Sequence, residues 1–202
     1  MQPRTARGRA TRERMVAAAA ELMHLHGVAA TSVEHILTAS GTGKSQFYHY
    51  FADKEALVRA VLRHVVERSL RDEVEVLARL DRWSGIAAWL DLVATRHEAR
   101  GLSGGDPLGS LAAELADGSQ AVRDDLAEAF RIKQRFLRKG LAVMKERGEL
   151  RPDADPDALA AFATASVQGA LLLATIRRDG AVLRTVLDHV LDHLRAQAAD
   201  AP

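Results

Sequence analysis

Apolar residues recur every three or four positions along almost the whole chain, which places them on one face of an α-helix. The first such segment runs from about Thr11 to His26, with Gly27 in position to end it. A second begins at the letters TSVE, where Thr31 as N-cap and Glu34 three residues later form a capping box. This second helix is predicted to cover residues 32–39.

The rest of the chain continues the helical pattern. After a tight turn at Gly41-Thr42-Gly43, a short third helix is predicted over Lys44 to Phe51, and Ala52-Asp53 caps a longer fourth helix. The later predicted helices cover about 84–100, 111–116, 120–147, 156–178 and 181–197. Asp155 as N-cap and Pro156 at the first helical position give the clearest start signal. No β pattern of any length is present, so the predicted fold is all-α.

Composition changes this picture mainly by exclusion. Hydrophobic residues make up 48% of the 202 residues and charged residues 27%, as in ordinary globular proteins. There is no cysteine, which excludes disulfides and thiolate chemistry. The N-terminus is charged and is predicted not to be a signal peptide, and the uncharged run 158–176 is rich in alanine. We therefore expect a cytoplasmic protein with no membrane span, no cofactor and no metal site.

The charge is unevenly distributed. Residues 1–52 carry six Arg or Lys against three acids, whereas the whole chain has a net charge of only +1. A basic N-terminal part on a nearly neutral body is typical of a nucleic-acid module joined to a scaffold.

The letters SGTGKSQFYHYF (40–51) contain Gly-Lys-Ser, the end of a phosphate-binding P-loop. That motif requires a further glycine at position 38, which is Thr38, and a preceding strand, where the pattern predicts a helix. Two short helices joined by a tight turn instead fit a helix-turn-helix, with Phe47 and Phe51 anchoring the second helix. An ordinary surface helix with aromatic anchors explains this spacing equally well.

A resemblance decides between these alternatives. Residues 9–62 resemble the DNA-binding domain of the TetR family of transcriptional repressors, through turn Gly41, then Tyr48-His49-Tyr50-Phe51, then Asp53-Lys54-Glu55-Ala56-Leu57. Gly43 and Gln46 depart from the commonest family pattern. The resemblance implies a three-helix DNA-binding domain at 1–54 with a basic arm, and a helical ligand-binding and dimerisation domain at 55–202.

It also implies which side chains contact double-stranded DNA. Phosphate contacts are expected from Tyr48, His49 or Tyr50, Lys54, and Thr31 or Ser32. Base-edge contacts are expected from Lys44, Ser45 and Gln46, with close backbone approach at Thr42 and Gly43. The N-terminal arginines are expected to reach the DNA backbone or minor groove, or else to form a solvated tail; they are Arg4, Arg7, Arg9, Arg12 and Arg14.

In the C-terminal part, the last two helices are expected to pair with their copies in a homodimer, as a four-helix bundle. The letters GDPLGSLAAELADGS and VQGALLLA resemble the LmrA/YxaF-like subgroup, which responds to small aromatic or drug-like compounds; relatives often carry Cys where this chain has Asp106. Candidate residues for an effector pocket, each also explicable as plain core, are Trp89, Val93, Leu111, Phe130, Leu137, Phe162 and Gln168. Gln168 is the most informative, because an amide on an apolar helix needs a hydrogen-bond partner.

Together these features predict a dimeric repressor that binds a palindromic operator and is released by a small hydrophobic or aromatic ligand. The competing hypothesis is a carrier or enzyme for small apolar molecules without sequence-specific DNA binding. No set of nucleophile, base and orienting group favours catalysis, and activation in place of repression remains open.

Overall fold

The computed structural model describes residues 5–199, and within that range the secondary structure is helical apart from one isolated bridge between Leu150 and Ala198. The predicted all-α fold is therefore confirmed. The helices are α1 (Ala6–His26), α2 (Val33–Ser40), α3 (Lys44–Tyr50), α4 (Lys54–Leu77), α5 (Trp83–Ala99), α6 (Pro107–Leu115), α7 (Gln120–Glu146), α8 (Pro156–Arg177) and α9 (Gly180–Arg195).

Three helix starts differ from the sequence prediction, those of α1, α2 and α6. Helix α1 begins five residues earlier than expected, because the Thr5 hydroxyl caps it by accepting the N–H of Gly8 at 3.1 Å. The predicted capping box of α2 is wrong: the N-cap is Ser32, whose hydroxyl accepts the N–H of His35 at 3.1 Å. Two adjacent hydroxyl residues could each have capped this helix, and the chain uses the second.

Other predicted ends are correct. Gly41 ends α2 with φ of +62°, a left-handed conformation that favours glycine. The carboxylate of Asp53 accepts the N–H of Ala56 at 2.7 Å and so caps α4. Asp155 caps α8 by accepting the N–H of Asp157 at 2.9 Å, with Pro156 at the first position. By contrast, α6 begins at Pro107, four residues before the predicted start, and is the third difference.

The chain forms two compact units. Unit 1 contains the described residues up to Ser69 together with Pro107–Ala129, and unit 2 contains Leu70–Asp106 and the described residues from Phe130 onward. The predicted boundary after residue 54 thus differs from the structural one, because α4 residues such as Leu57 and Val61 are fully buried in unit 1. Helix α6 and the start of α7 complete unit 1, although Leu70–Asp106 separates them in the chain from the rest of that unit.

Unit 2 is built around α5, α8 and α9, whose apolar side chains form one core that includes Ile86, Leu90, Ala163, Leu183 and Val190. Helix α8 is long and apolar enough to cross a membrane by length and composition. Its packing against α9 accounts for the buried part of that apolar surface without a bilayer.

Candidate nucleic-acid interface and ligand cavity

Helix α3 is held in unit 1 by aromatic anchors. The rings of Phe47 and Phe51 are 0% and 3% exposed and lie 5.5 Å apart between centroids. This confirms the predicted anchoring, which follows from their spacing of four residues. On the remaining surface of α3, Lys44, Ser45, Gln46, Tyr48 and His49 are all exposed, and Tyr50 is half-buried. The short helix therefore presents an amine, a hydroxyl, an amide and a phenol to the outside.

Three polar residues in or beside the turn are already hydrogen-bonded within the motif. The Oε1 atom of Gln46 accepts the N–H of Gly43 at 3.0 Å, which caps α3 in place of the missing Gly43 side chain. The hydroxyls of Ser40 and Thr42 lie 2.6 Å apart. Gln46 can donate through its amide nitrogen in this arrangement, but a bidentate contact with adenine would require the amide oxygen as well.

Two predicted DNA contacts already form hydrogen bonds within the protein. Thr31 is 1% exposed, and its hydroxyl donates to the carbonyl of Gly27 at 2.7 Å. The ammonium of Lys54 donates to the carbonyl of Val28 at 2.6 Å. Thr31 is therefore a structural residue and not a phosphate contact, whereas the half-buried Lys54 would have to leave Val28 to reach DNA. Ser32 caps α2 and is partly accessible.

The junction between α1 and α2 also receives a residue that the sequence did not predict. The Oε2 atom of Glu114, near the end of α6, accepts the N–H of Val28 at 2.7 Å. The same carboxylate lies about 3 Å from the position of a Cβ on Gly27, whose φ is +84°. Lys54, Thr31 and Glu114 thus converge on two consecutive residues and fix the angle at which α2 leaves α1.

A second set of contacts joins α4 to the start of α7 within unit 1. The Nε atom of Arg59 lies 2.6 Å from Oδ2 of Asp125, and one of its terminal nitrogens lies 3.3 Å from the other carboxylate oxygen. Ser119 donates its hydroxyl to Glu55 at 2.9 Å. The bidentate geometry favours a fixed orientation of α4 against α7.

The N-terminal arginines do not form an extended arm in the described residues. Arg7, Arg9, Arg12 and Arg14 all lie in α1, and Arg4 lies outside the described residues. The Arg12 guanidinium stacks over the Phe51 ring at 5.2 Å from its centroid. Burial, and then the positive charge of Arg63, lower the pKa of Arg12. Arg12 therefore packs inside unit 1.

Unit 2 contains a cavity of about 90 Å³. Five of the seven predicted pocket residues line it: Trp89, Val93, Phe130, Leu137 and Gln168. The other two do not: Leu111 is buried in unit 1, and Phe162 is 41% exposed, stacked on His193 at 4.3 Å between centroids. Helical spacing cannot distinguish these faces, because all seven side chains sit on amphipathic helices. The apolar wall also includes Leu70, Leu77, Leu80, Leu92, Val167 and Leu171.

The cavity has a polar centre that depends on long-range contacts. One oxygen of Asp106 lies 3.3 Å from the ammonium of Lys133, and the other accepts the amide N–H of Gln168 at 3.4 Å. The side chains of Asp106 and Lys133 are only 17% and 22% exposed. Gln168 thus has the partner that its position required, and that partner comes from the glycine-rich segment before α6.

Two arginines at the C-terminal end of α5 contribute to the lining: Arg96 within the helix and Arg100 directly after it. Arg96 pairs with Glu73 at 3.1 Å and donates to the carbonyl of Asp72 at 2.5 Å. Arg100 donates its Nε–H to the carbonyl of Arg96 at 3.2 Å and is exposed. Among residues 5–199, no carboxylate forms an ion pair with Arg100.

His97, between these arginines in the sequence, is fully buried. The hydroxyl of Thr175 donates to the carbonyl of Leu171 at 2.8 Å, so it accepts from Nε2 of His97 at 3.1 Å. The Nδ1 atom of His97 has no hydrogen-bond partner in the described chain. Burial, followed by the charges of Arg100 and Arg178, lowers the pKa of His97, so the ring is neutral at pH 7.

The outer surface of α8 carries exposed apolar side chains. Leu172, Leu173 and Ile176 are 58%, 41% and 68% exposed, and Phe162 lies on the same helix. Large apolar groups concentrated on one helix of a globular protein are typical of an interaction surface. His189 and His193 lie four positions apart on α9. They belong to no group of three or more possible metal ligands within residues 5–199.

Comparison with known proteins agrees with this arrangement. Residues 15–61 match the profile of bacterial regulatory proteins of the tetR family, and residues 76–190 match the tetracyclin repressor-like C-terminal domain. The HTH-type transcriptional repressor DhaR of Mycobacterium sp. strain GP1 is 28% identical over 191 residues, covering 91% of each chain. The HTH-type transcriptional regulator LmrA of Bacillus subtilis is 31% identical over 125 residues, which cover 60% of this chain and 65% of LmrA.

A solved structure shows the same fold. The crystal structure of a TetR transcriptional regulator from Chloroflexus aurantiacus superimposes with a TM-score of 0.79 at 28% identity. The match covers 98% of this chain and 100% of that one. The likeness therefore extends over both the helix-turn-helix and the C-terminal helices.

Proposed function

Because the chain belongs to the TetR family of bacterial transcriptional regulators, we propose that it is a dimeric repressor that binds a palindromic operator and is released by a small hydrophobic or aromatic ligand. The observation that carries this proposal is the outer surface of α3. There, all residues from 44 to 49 except the buried anchor Phe47 are polar or aromatic and exposed. The anchor holds the opposite face of the helix against the rest of unit 1. The similarity to a named repressor supports repression over activation.

DNA recognition would be divided between backbone and base contacts. Tyr48, His49 and Tyr50 would contact phosphates, and Lys44 and Ser45 would contact base edges in the major groove. Gln46 would contribute through its amide nitrogen while its oxygen caps α3. The first turn of α3 would approach the backbone closely, because Gly43 has no side chain.

Dimerisation would use the apolar surface of α8 together with α9. A two-fold dimer presents two recognition helices, which explains why the operator should be palindromic. Leu172→Asp should give a monomer in analytical ultracentrifugation, because a carboxylate would be buried in an apolar interface. Val74→Asp is the matched control and should remain dimeric, since Val74 is 61% exposed on α4. A dimeric Leu172→Asp variant would contradict this interface.

The ligand would occupy the cavity of unit 2. Its apolar walls and few polar groups are the combination that binds small molecules. By linkage, ligand and operator must weaken each other's binding by the same factor. Calorimetry that found ligand affinity unaffected by saturating operator would refute release by the ligand.

The operator itself can be found by selecting DNA from a random pool with the purified protein. We expect enrichment of one palindrome whose affinity falls steeply with salt. Lys44→Gln should relax the preference at one position of each half-site, whereas Arg71→Gln, which removes an equal charge from an exposed site on α4, should not. Binding without sequence preference would favour the carrier hypothesis and refute the repressor.

A further inference from the structure

The charges that line the cavity are unequal, and this inequality bears on the chemical class of the ligand. Three cationic side chains and two carboxylates contribute to the lining; they are Arg96, Arg100, Lys133, Glu73 and Asp106. The lining therefore has a net charge of one positive unit. A ligand that enters the apolar space beside these groups experiences this charge at reduced dielectric screening.

The ion pairs of the cavity account for two of the three cations. Arg96 pairs with Glu73, and Lys133 pairs with Asp106. Arg100 is left without a carboxylate partner in residues 5–199, and its one recorded bond uses Nε and a backbone carbonyl. Its two terminal amino groups thus remain available as a planar pair of donors, the arrangement that matches a carboxylate.

The side chains that line the cavity also offer unequal numbers of hydrogen-bond donors and acceptors. Lys133 has three N–H donors, of which Asp106 takes one. The hydroxyl of Thr164 donates to the carbonyl of Ala160 at 2.8 Å, so it can offer the cavity only an acceptor. Apart from the Thr164 hydroxyl, the uncharged side-chain acceptor in the lining is the amide oxygen of Gln168. The cavity is therefore richer in donors than in acceptors, and a complementary ligand should bring acceptors.

Arg100 can bind an anion without a large desolvation cost. It is exposed, so its guanidinium remains partly hydrated in the free protein, and pairing does not require moving a charge from water into the core. The neighbouring His97 reports the same positive field, because Arg100 and Arg178 both lower its pKa after burial does.

We propose that the cavity selects a small organic acid, with its apolar or aromatic body against Trp89, Val93 and Leu137 and its carboxylate on Arg100. This inference rests on the proposed ligand-binding role of the cavity and specifies its ligand class. A neutral analogue would lose the ion pair, and an amine would add a further cation to a lining that is already positive. Of three isosteric compounds, the acid should therefore bind best and the amine worst.

The test uses 3-phenylpropanoate, 3-phenylpropan-1-ol and 3-phenylpropylamine, one-ring compounds suited to a cavity of about 90 Å³. Binding is followed by the fluorescence of the two tryptophans, Trp83 and Trp89, of which Trp89 lines the cavity. We expect the acid to bind about tenfold more tightly than the alcohol, as for one charge-assisted hydrogen-bonded pair. Arg100→Gln should reduce this ratio to about one, whereas Arg71→Gln, the matched exposed control, should leave it unchanged.

Each outcome decides the matter. Equal affinities of acid and alcohol in the unmodified protein overturn the acid class but leave the cavity as a ligand site. A preference for the acid that survives Arg100→Gln overturns the role of Arg100. If none of the three compounds changes the fluorescence or the thermal stability, both this inference and the ligand-binding part of the proposed function fail. Operator selection on the same preparations reports on DNA binding separately.

Discussion

The two units hold their functional side chains in opposite ways. On α3 of unit 1, the polar groups are exposed and neighbouring in sequence, and one buried aromatic residue, Phe47, fixes their direction. In the cavity of unit 2, the polar groups of Asp106, Lys133 and Gln168 are largely enclosed and come from distant parts of the chain. The first arrangement can meet a large, hydrated polyanion at its surface. The second can discriminate among small molecules, because enclosed groups must be matched or left unpaired.

The largest effect should come from removing the anchor of α3. Phe47→Ala should reduce the free energy of unfolding of unit 1 by about 3–5 kcal/mol, because a fully buried ring leaves a cavity. Operator binding should be lost, while the emission of Trp83 and Trp89, both in unit 2, should keep its native maximum in buffer. Circular dichroism and fluorescence during urea unfolding measure the two parts.

Tyr48→Ala is the neighbouring control. Its ring is 56% exposed, so the variant should lose operator affinity with little loss of stability. If Phe47→Ala instead shifts the tryptophan emission in buffer, loss of the α3 anchor also alters unit 2. The two units would then not respond separately.

This contrast also explains which features could be predicted from the sequence. The face of α3 follows from the spacing of Phe47 and Phe51, and the start of α8 follows from Asp155 and Pro156, since both depend on neighbours within one or two turns. Helix α6 was predicted too short because its first residues follow a glycine-rich segment that reads as a loop. The Asp106-Pro107 pair has the same form as the Asp155-Pro156 start signal, but the glycines around it favoured a loop.

Contacts between distant residues could not be predicted. Glu114 and Val28 are 86 positions apart, and Asp106 and Gln168 are 62 apart. Spacing identified Gln168 as a group in need of a partner, but no local rule selects that partner among the acids of the chain. For the same reason the interpretation of Leu111 and Phe162 as pocket residues was wrong: periodicity identifies an apolar face without saying what lies opposite it.

A smaller effect should follow from breaking the enclosed pair of unit 2. Lys133→Met removes the ammonium that pairs with the carboxylate of Asp106. It should lower the free energy of unfolding by about 1–2 kcal/mol, less than for a fully buried pair because both groups retain some solvent. Urea unfolding followed by tryptophan fluorescence measures this loss. The double variant with Asp106→Asn should recover part of it, and equal stability of single and double variants would argue against a charge penalty.

Removing one hydrogen bond of unit 1, from the N–H of Val28 to Glu114, should have a local effect. Glu114→Ala removes the acceptor for the N–H of Val28 and should cost about 1 kcal/mol, since the carboxylate is partly solvated. Hydrogen exchange of the Val28 amide, measured by NMR, should accelerate. Glu114→Gln keeps a carbonyl acceptor and serves as the control. An unchanged exchange rate in Glu114→Ala would show that Lys54 and Thr31 suffice to hold the junction.

The smallest expected effect is a pH dependence that arises from His97 in unit 2. Its folded pKa is lowered, first by burial and then by Arg100 and Arg178, with Asp106 and Glu98 acting in the opposite direction. The unfolded state therefore binds a proton as the pH falls below about 6.5, while the folded state still excludes it. Stability is fully present above that value and decreases as the pH falls through it towards the folded pKa.

The variant His97→Gln separates this contribution from the other groups that titrate. Its amide can still donate to the hydroxyl of Thr175, and it carries no titratable proton. Between pH 7.5 and 5.5, the unfolding midpoint in urea should fall more for the unmodified protein than for the variant. A steeper loss in the variant would mean that the folded protein stabilises the charged ring, contrary to its complete burial beside two guanidinium groups. Parallel curves would place the pH dependence outside His97 and would contradict the effect expected from its burial.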